Sequence, residues 1–323
     1  MAMASRIDNA IVWDNHVCLP MRTDAKFLPE LERHRASGID VVSVNIGFAD
    51  MPWSQHLRIV SYMRRWFSRH ADKFALVSKG VDIRRAKAEG RLAIVFDVEG
   101  MHPVLDDPDR VQTLYALGVR WMLVAYNRNN AAGGGCLDQD KGLTALGRRI
   151  IDRMDAAGMV LCLSHTGERT ALEALEYGRH PGILSHSNPF SDTPHPRNIS
   201  DALMRACAGK GGVIGLSGIG PFLGATTDLI IHLVRQIQYV ADLVGAEHVG
   251  LGLDYVFDRS QLEQNVKANP ARYPTGISGG ISMIEPEAFP QIAALLADRG
   301  FNDATISGIM GENWLRIANA VWR

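Results

Sequence analysis

The chain predicts a (β/α)8 TIM barrel of the α/β class with a C-terminal helix. Three observations carry that expectation. Short apolar runs rich in β-branched residues alternate with longer amphipathic ones eight times over, the rhythm of strand and crossover helix. Metal-binding and carboxylate side chains stand at the C-terminal ends of runs one, three, five, six and eight, where a parallel barrel collects its chemistry. No low-complexity linker or shift in composition divides the 323 residues, so one domain over 1–323 is expected. An open doubly wound sheet is the alternative, but it gathers only the strand ends near its switch point.

The elements follow in order. Strands are expected at 11–18, 41–48, 92–98, 121–125, 160–165, 183–186, 213–217 and 249–254. Helical patterns lie between them at 25–37, 55–70, 107–117, 144–157, 168–178, 201–208 and 228–244. Asp107-Pro108 opens one helix and Gly118 ends it. Thr144 caps the next, which stops at Gly158, and its Leu146, Ile150, Ile151 and Met154 make one buried stripe. After the eighth strand, the stretch from Tyr255 to about Met283 is long for a barrel loop and reads as a lid that shapes substrate choice. The segment DATISGIMGENWLRIANAVW is expected as one final helix packed on the barrel.

Composition excludes several function classes. The formal net charge is −1, without the basic excess of a nucleic-acid surface. Pairs such as Arg64-Arg65 and Arg148-Arg149 read as solvated helix faces. Four cysteines are too sparse for a disulfide framework. The opening MAMASRIDNA reads as neither a signal peptide nor a membrane anchor, and no run reaches the roughly 18–20 apolar residues of a spanning helix. A cytoplasmic protein acting on a small molecule, with no nucleic-acid or membrane partner, is expected.

The strand ends carry the chemistry. His16 and Cys18 are two apart, so on a strand they share a face and reach one ion together. Taken alone, such a pair is a buried histidine beside a small thiol; the other strand ends give it a ligand role. Glu99 closes RLAIVFDVE, and each of its oxygens can take a cation, with Asp97 as its rival. His165 and His186 end consecutive strands about 4.8 Å apart and can converge on one ion. Two His, a His-x-Cys pair and a Glu suit transition-metal chemistry, zinc above all. Arg197, in a loop above the barrel, suits bidentate capture of a substrate carboxylate. Asp254, ending the eighth strand, suits proton transfer or the orientation of a histidine.

Taken together, these segments resemble the renal (membrane) dipeptidase family of the metal-dependent hydrolase superfamily. DNHVCLP resembles the family's Asp-Gly-His-x-Asp-Leu-Pro, and VEGMH its Glu-Gly-Gly-His. LYALGVRWMLVAYNRNN, GLTALGRRIIDRMDAAGMVLCLSH, ILSHSNPF, HPRNISD, VGLGLDYVFD and GENWLRI follow in the family's order. The resemblance implies two zinc ions in a barrel, the first on His16 and position 18, the second on His165 and His186, with Glu99 bridging. It further implies a substrate C-terminal carboxylate on Arg197, proton transfer by Asp254, tolerance of a D-residue at the C-terminal position, and a homodimer. Two positions depart from the pattern. Cys18 stands where the family has Asp, and Tyr126 where it has a His near the scissile carbonyl. A tyrosine hydroxyl there can donate to a developing oxyanion. The expected activity is therefore a binuclear zinc dipeptidase using a metal-bridging hydroxide. The alternatives are an amidohydrolase acting on a non-peptide amide, lactam or modified amino acid, or a zinc-binding relative without catalysis.

Overall fold

The computed structural model describes residues 9–323. Residues 1–8, most of the stretch read as carrying no signal peptide or anchor, lie outside the described residues. The strands are β1 (Trp13–Cys18), β2 (Val41–Phe48), β3 (Phe74–Leu76), β4 (Leu92–Glu99), β5 (Val119–Leu123), β6 (Val160–Cys162), β7 (Ile183–Leu184), β8 (Val213–Leu216), β9 (Val249–Leu251) and β10 (Tyr255–Val256). All pair in parallel, in the order β10-β1-β2-β4-β5-β6-β7-β8-β9, with β3 on the side against β4. β9 covers the first half of the expected eighth strand, and β10 lies just past it, at the start of the stretch expected as a loop. Gly252 N donates to Leu216 O on β8, and Asp254 N donates to His16 O on β1, so this one segment ties both edges and curls the sheet into a barrel.

Alternation along the strands sorts the core. On β4, Ile94, Phe96 and Val98 pack outward beneath the helices, while Ala93 and Val95 face the barrel interior with Val41, Trp121 and Val213. The same parity turns Asp97 and Glu99 inward. On β1 the parity is broken: Asp14 pairs with Val42 and Val17 with Val44, so β1 holds one residue more than β2 over that stretch. This bulge turns Asn15 and His16 inward together. Cys18 then follows outward-facing Val17 and shares His16's face.

The structure corrects several boundaries. β6 and β7 end at Cys162 and Leu184, short of the expected 165 and 186, because the chain leaves the extended conformation there to present the two histidines. β3 was not expected; it is short and flanks only the first half of β4. In place of a helix over 25–37 there are a tight turn at Leu28–Leu31 and a helix at Glu32–Ala36, since Pro29 lacks the N–H needed to extend a helix towards residue 25. The final helix is broken into Asp303–Ser307, a wide π-type turn at Gly308–Glu312, and Asn313–Val321. At the turn a side chain on Gly311 would lie 2.3 Å from Ile11 O. There Glu312 Oε1 accepts a 2.8 Å bond from Ile11 N, fastening the segment to the start of β1. The stretch after the eighth strand is largely ordered as a helix at Arg259–Ala268 and a turn at Pro270–Arg272. Among the described residues no helix is long and apolar enough to cross a membrane.

Candidate metal centre and active-site cleft

The side chains at the C-terminal ends of the strands meet in one place. Three imidazoles point Nε2 at a single carboxylate oxygen: Glu99 Oε1 lies 3.5 Å from His16, 3.2 Å from His165 and 3.3 Å from His186. The two nitrogens of His165 and His186 are 2.8 Å apart, and the rings of His16 and His186 stack at 4.1 Å. Cys18 Sγ sits 3.5 Å from His16 Nε2 and 3.3 Å from Asp254 Oδ1. Three overlapping groups result, each with its ligand atoms within 4.8 Å of one another: His16, Cys18 and Glu99; Glu99, His165 and His186; His16, His186 and Asp254.

Each histidine is oriented from behind. Asp97 Oδ2 lies 3.2 Å from His16 Nδ1, Asn127 Oδ1 lies 2.7 Å from His165 Nδ1, and Ser185 Oγ lies 2.7 Å from His186 Nδ1. With Nδ1 occupied, the Nε2 lone pair is left for the centre, the arrangement found around metal-bound imidazoles. Backbone geometry contributes as well. Ala49, Asn127, His165 and Asp254 all have left-handed backbone (φ 53°, 59°, 62° and 61°), and all lie just past strand segments around the site. Non-glycine residues hold that conformation only where the surroundings impose it, and such strain clusters at functional sites.

The electrostatics call for a cation. Burial pushes the Glu99 carboxyl up to about 8, with neighbouring His16 working the other way and Asp254 and Asp97 adding to the rise. Burial likewise raises Asp97, Asp254 and the Cys18 thiol. Burial opposes the charged form of His16, but Asp97, Cys18 and Glu99 outweigh it and hold that imidazole well above its ordinary value. Burial, with Arg197 and His16 adding to it, keeps His165 and His186 well below theirs, so both imidazoles are neutral at neutral pH. Three buried carboxylates and a thiol face two neutral imidazoles, and the positive charge of His16 and Arg197 does not stop burial from pushing the carboxyls up, so the cluster is costly without a further cation among them. Nitrogen, sulfur and oxygen donors in these groups fit a borderline-soft divalent ion such as zinc.

Two further expected residues line the same cleft. Arg197 is 2% exposed, yet no carboxylate among the described residues forms an ion pair with it. Its Nη2 donates to His186 O at 2.9 Å, and its Nε has no partner. Tyr126 stacks on His165 at 4.3 Å, and burial raises its phenol well above the ordinary value. The cleft opens over Glu99 and Asp254 and holds about 810 Å³ of empty space, open solvent at its mouth included. The helix at Arg259–Ala268 and the turn that follows supply one wall through Leu262 and Tyr273.

Sequence reading missed the supporting residues. Asn127 and Ser185 carry no motif of their own; an Asn four residues past a strand and a Ser before a ligand His were the only signals. Asp14 was also passed over. It faces outward from β1, where its Oδ1 accepts the Leu253 amide at 2.8 Å and its Oδ2 lies 3.6 Å from buried His34. Asp14 thereby anchors the residue before Asp254.

A model of the membrane dipeptidase family, peptidase family M19, matches residues 9–322. The chain belongs to the membrane dipeptidase family. Dipeptidase verJ of Clonostachys rogersoniana is 29% identical over 256 residues, 78% of this chain and 61% of that protein, so the match spans about three fifths of that relative's length. An amidohydrolase from Pseudomonas aeruginosa superposes with a TM-score of 0.91 at 25% identity, covering 100% of this chain and 99% of that one. A metallopeptidase from Rhodobacter sphaeroides, liganded with a phosphinate mimic of the dipeptide L-Ala-D-Ala, has a TM-score of 0.75 at 20% identity. It covers 98% of this chain and 100% of that one, a likeness of fold.

The geometry explains the Gly-x-Gly-x-Asp segment of this membrane dipeptidase chain. A Cβ on Gly250 would lie 2.5 Å from the Trp314 ring, and one on Gly252 would lie 2.2 Å from Ser185 O. Only glycine lets the eighth strand close against the strand that delivers His186.

Proposed function

We propose that residues 1–323 form one hydrolase domain and that the chain is a binuclear zinc dipeptidase, cleaving small dipeptides that include L-Xaa-D-Xaa. The observation that carries this reading is the convergence of the three Nε2 atoms on Glu99 Oε1 at 3.2–3.5 Å, in a chain of this family. In this reading His16 and Cys18 would hold one ion and His165 and His186 the other, with Glu99 available to both. Bound zinc supplies a Lewis acid that polarises the scissile carbonyl and lowers the pKa of the attacking water. Cys18 brings a longer, more donating ligand than the family's carboxylate, about 2.3 Å against about 2.0–2.2 Å.

The chain's own residues do the rest. Arg197, buried without an acidic partner, takes the substrate carboxylate in a bidentate bond. Asp254, beside Cys18 and His16, takes a proton from the water and returns it to the leaving amine. Tyr126 keeps its phenol proton and donates it in a hydrogen bond to the developing oxyanion. The walls exclude water around the scissile bond. The four free cysteines support a reducing, cytoplasmic setting, and a homodimer belongs to the same reading.

The test is a zinc-loaded preparation offered L-Xaa-L-Xaa and L-Xaa-D-Xaa dipeptides, with L-Ala-D-Ala first, and released amino acids read by chromatography. Release that a chelator abolishes, with two zinc ions per chain by elemental analysis, is expected. No release from any dipeptide, with turnover of an N-acyl amino acid or lactam instead, would replace this reading with the amidohydrolase one.

A further inference from the structure

Four residues with carboxylate or guanidinium groups line the cleft: Glu99, Arg197, Asp254 and Asp258. The reading above commits the first three to the ions, the substrate carboxylate and the proton. Asp258 is committed by its own bonds. Its Oδ1 accepts from Ser260 N at 3.1 Å, Ser260 Oγ at 2.6 Å and Gln261 N at 3.1 Å, capping the helix at Arg259–Ala268, and its Oδ2 takes Arg22 Nη1 at 2.9 Å. Near the mouth, Arg272 is likewise occupied by Asp50 at 2.7 Å. No ionised group among those lining the cleft is left to meet an ionised substrate side chain.

What remains of the wall is mostly apolar. Phe48 and Tyr126 pack together on one side at 5.4 Å, and Phe222 lies under the Arg197 guanidinium at 5.6 Å. Leu262, Tyr273 and Ile277, from the stretch after the eighth strand, complete the enclosure. From this exhaustion of charge in an apolar cleft we infer that the substrate side chains are uncharged and apolar, of the leucine or phenylalanine kind, and that the helix at Arg259–Ala268 sets this preference through Leu262. The inference rests on the dipeptidase reading and names the class of dipeptide. Burying an ionised side chain without a partner is strongly unfavourable, whereas each buried methylene is favourable.

The experiment uses the zinc-loaded full chain and a set of dipeptides in which Gly, Leu, Phe, Lys or Asp is placed in turn at each position beside a constant alanine. Each is read twice, as kcat/KM and as Kd by titration calorimetry. Leu or Phe is expected to exceed Gly by about tenfold or more, which is the effect of fewer than two buried methylenes. Lys and Asp are expected at or below Gly. A flat ranking, or a preference for Lys or Asp, overturns the inference. Bond cleavage tests the dipeptidase reading separately: ranked binding without cleavage would keep the side-chain preference and sink the activity. Leu262→Glu supplies the converse. Leu262 is half-buried at the edge of the core, so a thermal melt is read beside the ratio to confirm that the variant is folded. The Lys-to-Leu ratio in Kd and kcat/KM is expected to rise at least tenfold, and an unchanged ratio removes Leu262 from the preference.

Discussion

Replacing Asn127 with glycine tests whether the metal centre depends on the residues behind the ligands. Asn127 Oδ1 accepts from His165 Nδ1 at 2.7 Å, with both side chains buried. Glycine is the informative replacement because Asn127 has φ 59°, which glycine adopts without strain, so the backbone is spared and the side-chain bonds are lost. A buried imidazole N–H without a partner costs about 1–3 kcal/mol. At about 1.4 kcal/mol per decade that is roughly 5- to 150-fold in zinc affinity, in line with the 10- to 100-fold typical of outer partners of metal ligands. Under the proposed two-ion reading, the loss should fall on the ion assigned to His165 and His186. The ion at His16 and Cys18, oriented by Asp97, should be spared. Competition against a chromophoric chelator resolves the two affinities. Asn127→Asp keeps an acceptor and tolerates the left-handed backbone, so it should stay close to wild type. The variant also loses the Asn127 Nδ2 bond to Arg272 O, which a thermal melt reports separately. If Asn127→Gly binds both ions within twofold of wild type, the support argument is wrong.

Further expectations are direct. Glu99→Gln should cut turnover by orders of magnitude and lower metal content, read by steady-state kinetics and elemental analysis; full activity would remove the bridging role. Glu99 also sets a pH dependence. Its carboxyl lies near 8 in the folded metal-free chain against an ordinary 4.5, so the proton it retains favours the folded state at low pH. That stabilisation is fully present below about 4.5 and is lost as pH rises through 8, and the melting-temperature difference between wild type and Glu99→Gln should track it. By the same linkage zinc must displace that proton and those held by His16 and Cys18, so affinity should keep rising with pH through 8. Gly252→Ala would set a Cβ 2.2 Å from Ser185 O; overpacking of this kind costs about 1–3 kcal/mol, and a lowered melting temperature with weaker zinc binding is expected.

Much of the centre was legible along the chain. His16, Cys18, Glu99, His165, His186 and Asp254 each end a short apolar run, and a parallel barrel has one place for strand ends to meet. Local signals also held where the physics is local: Thr144 Oγ1 accepts from Gly147 N as an N-cap, and Gly158, with φ 83°, stops that helix. The rhythm of the runs and the residue types at their ends, properties of neighbours in sequence, determined the architecture and which side chains meet at the strand ends. Only the tertiary structure decided how the ligands are aimed. The bulge that turns His16 inward depends on the register of β1 against β2. The bonds from Asp97, Asn127 and Ser185 join different strands or loops, except the one between Ser185 and His186. The charge balance of the cleft likewise rests on Arg22 reaching Asp258 across more than two hundred residues. Contacts of that range leave no periodicity to read, because they arise from the closing of the barrel and not from the chain beside them.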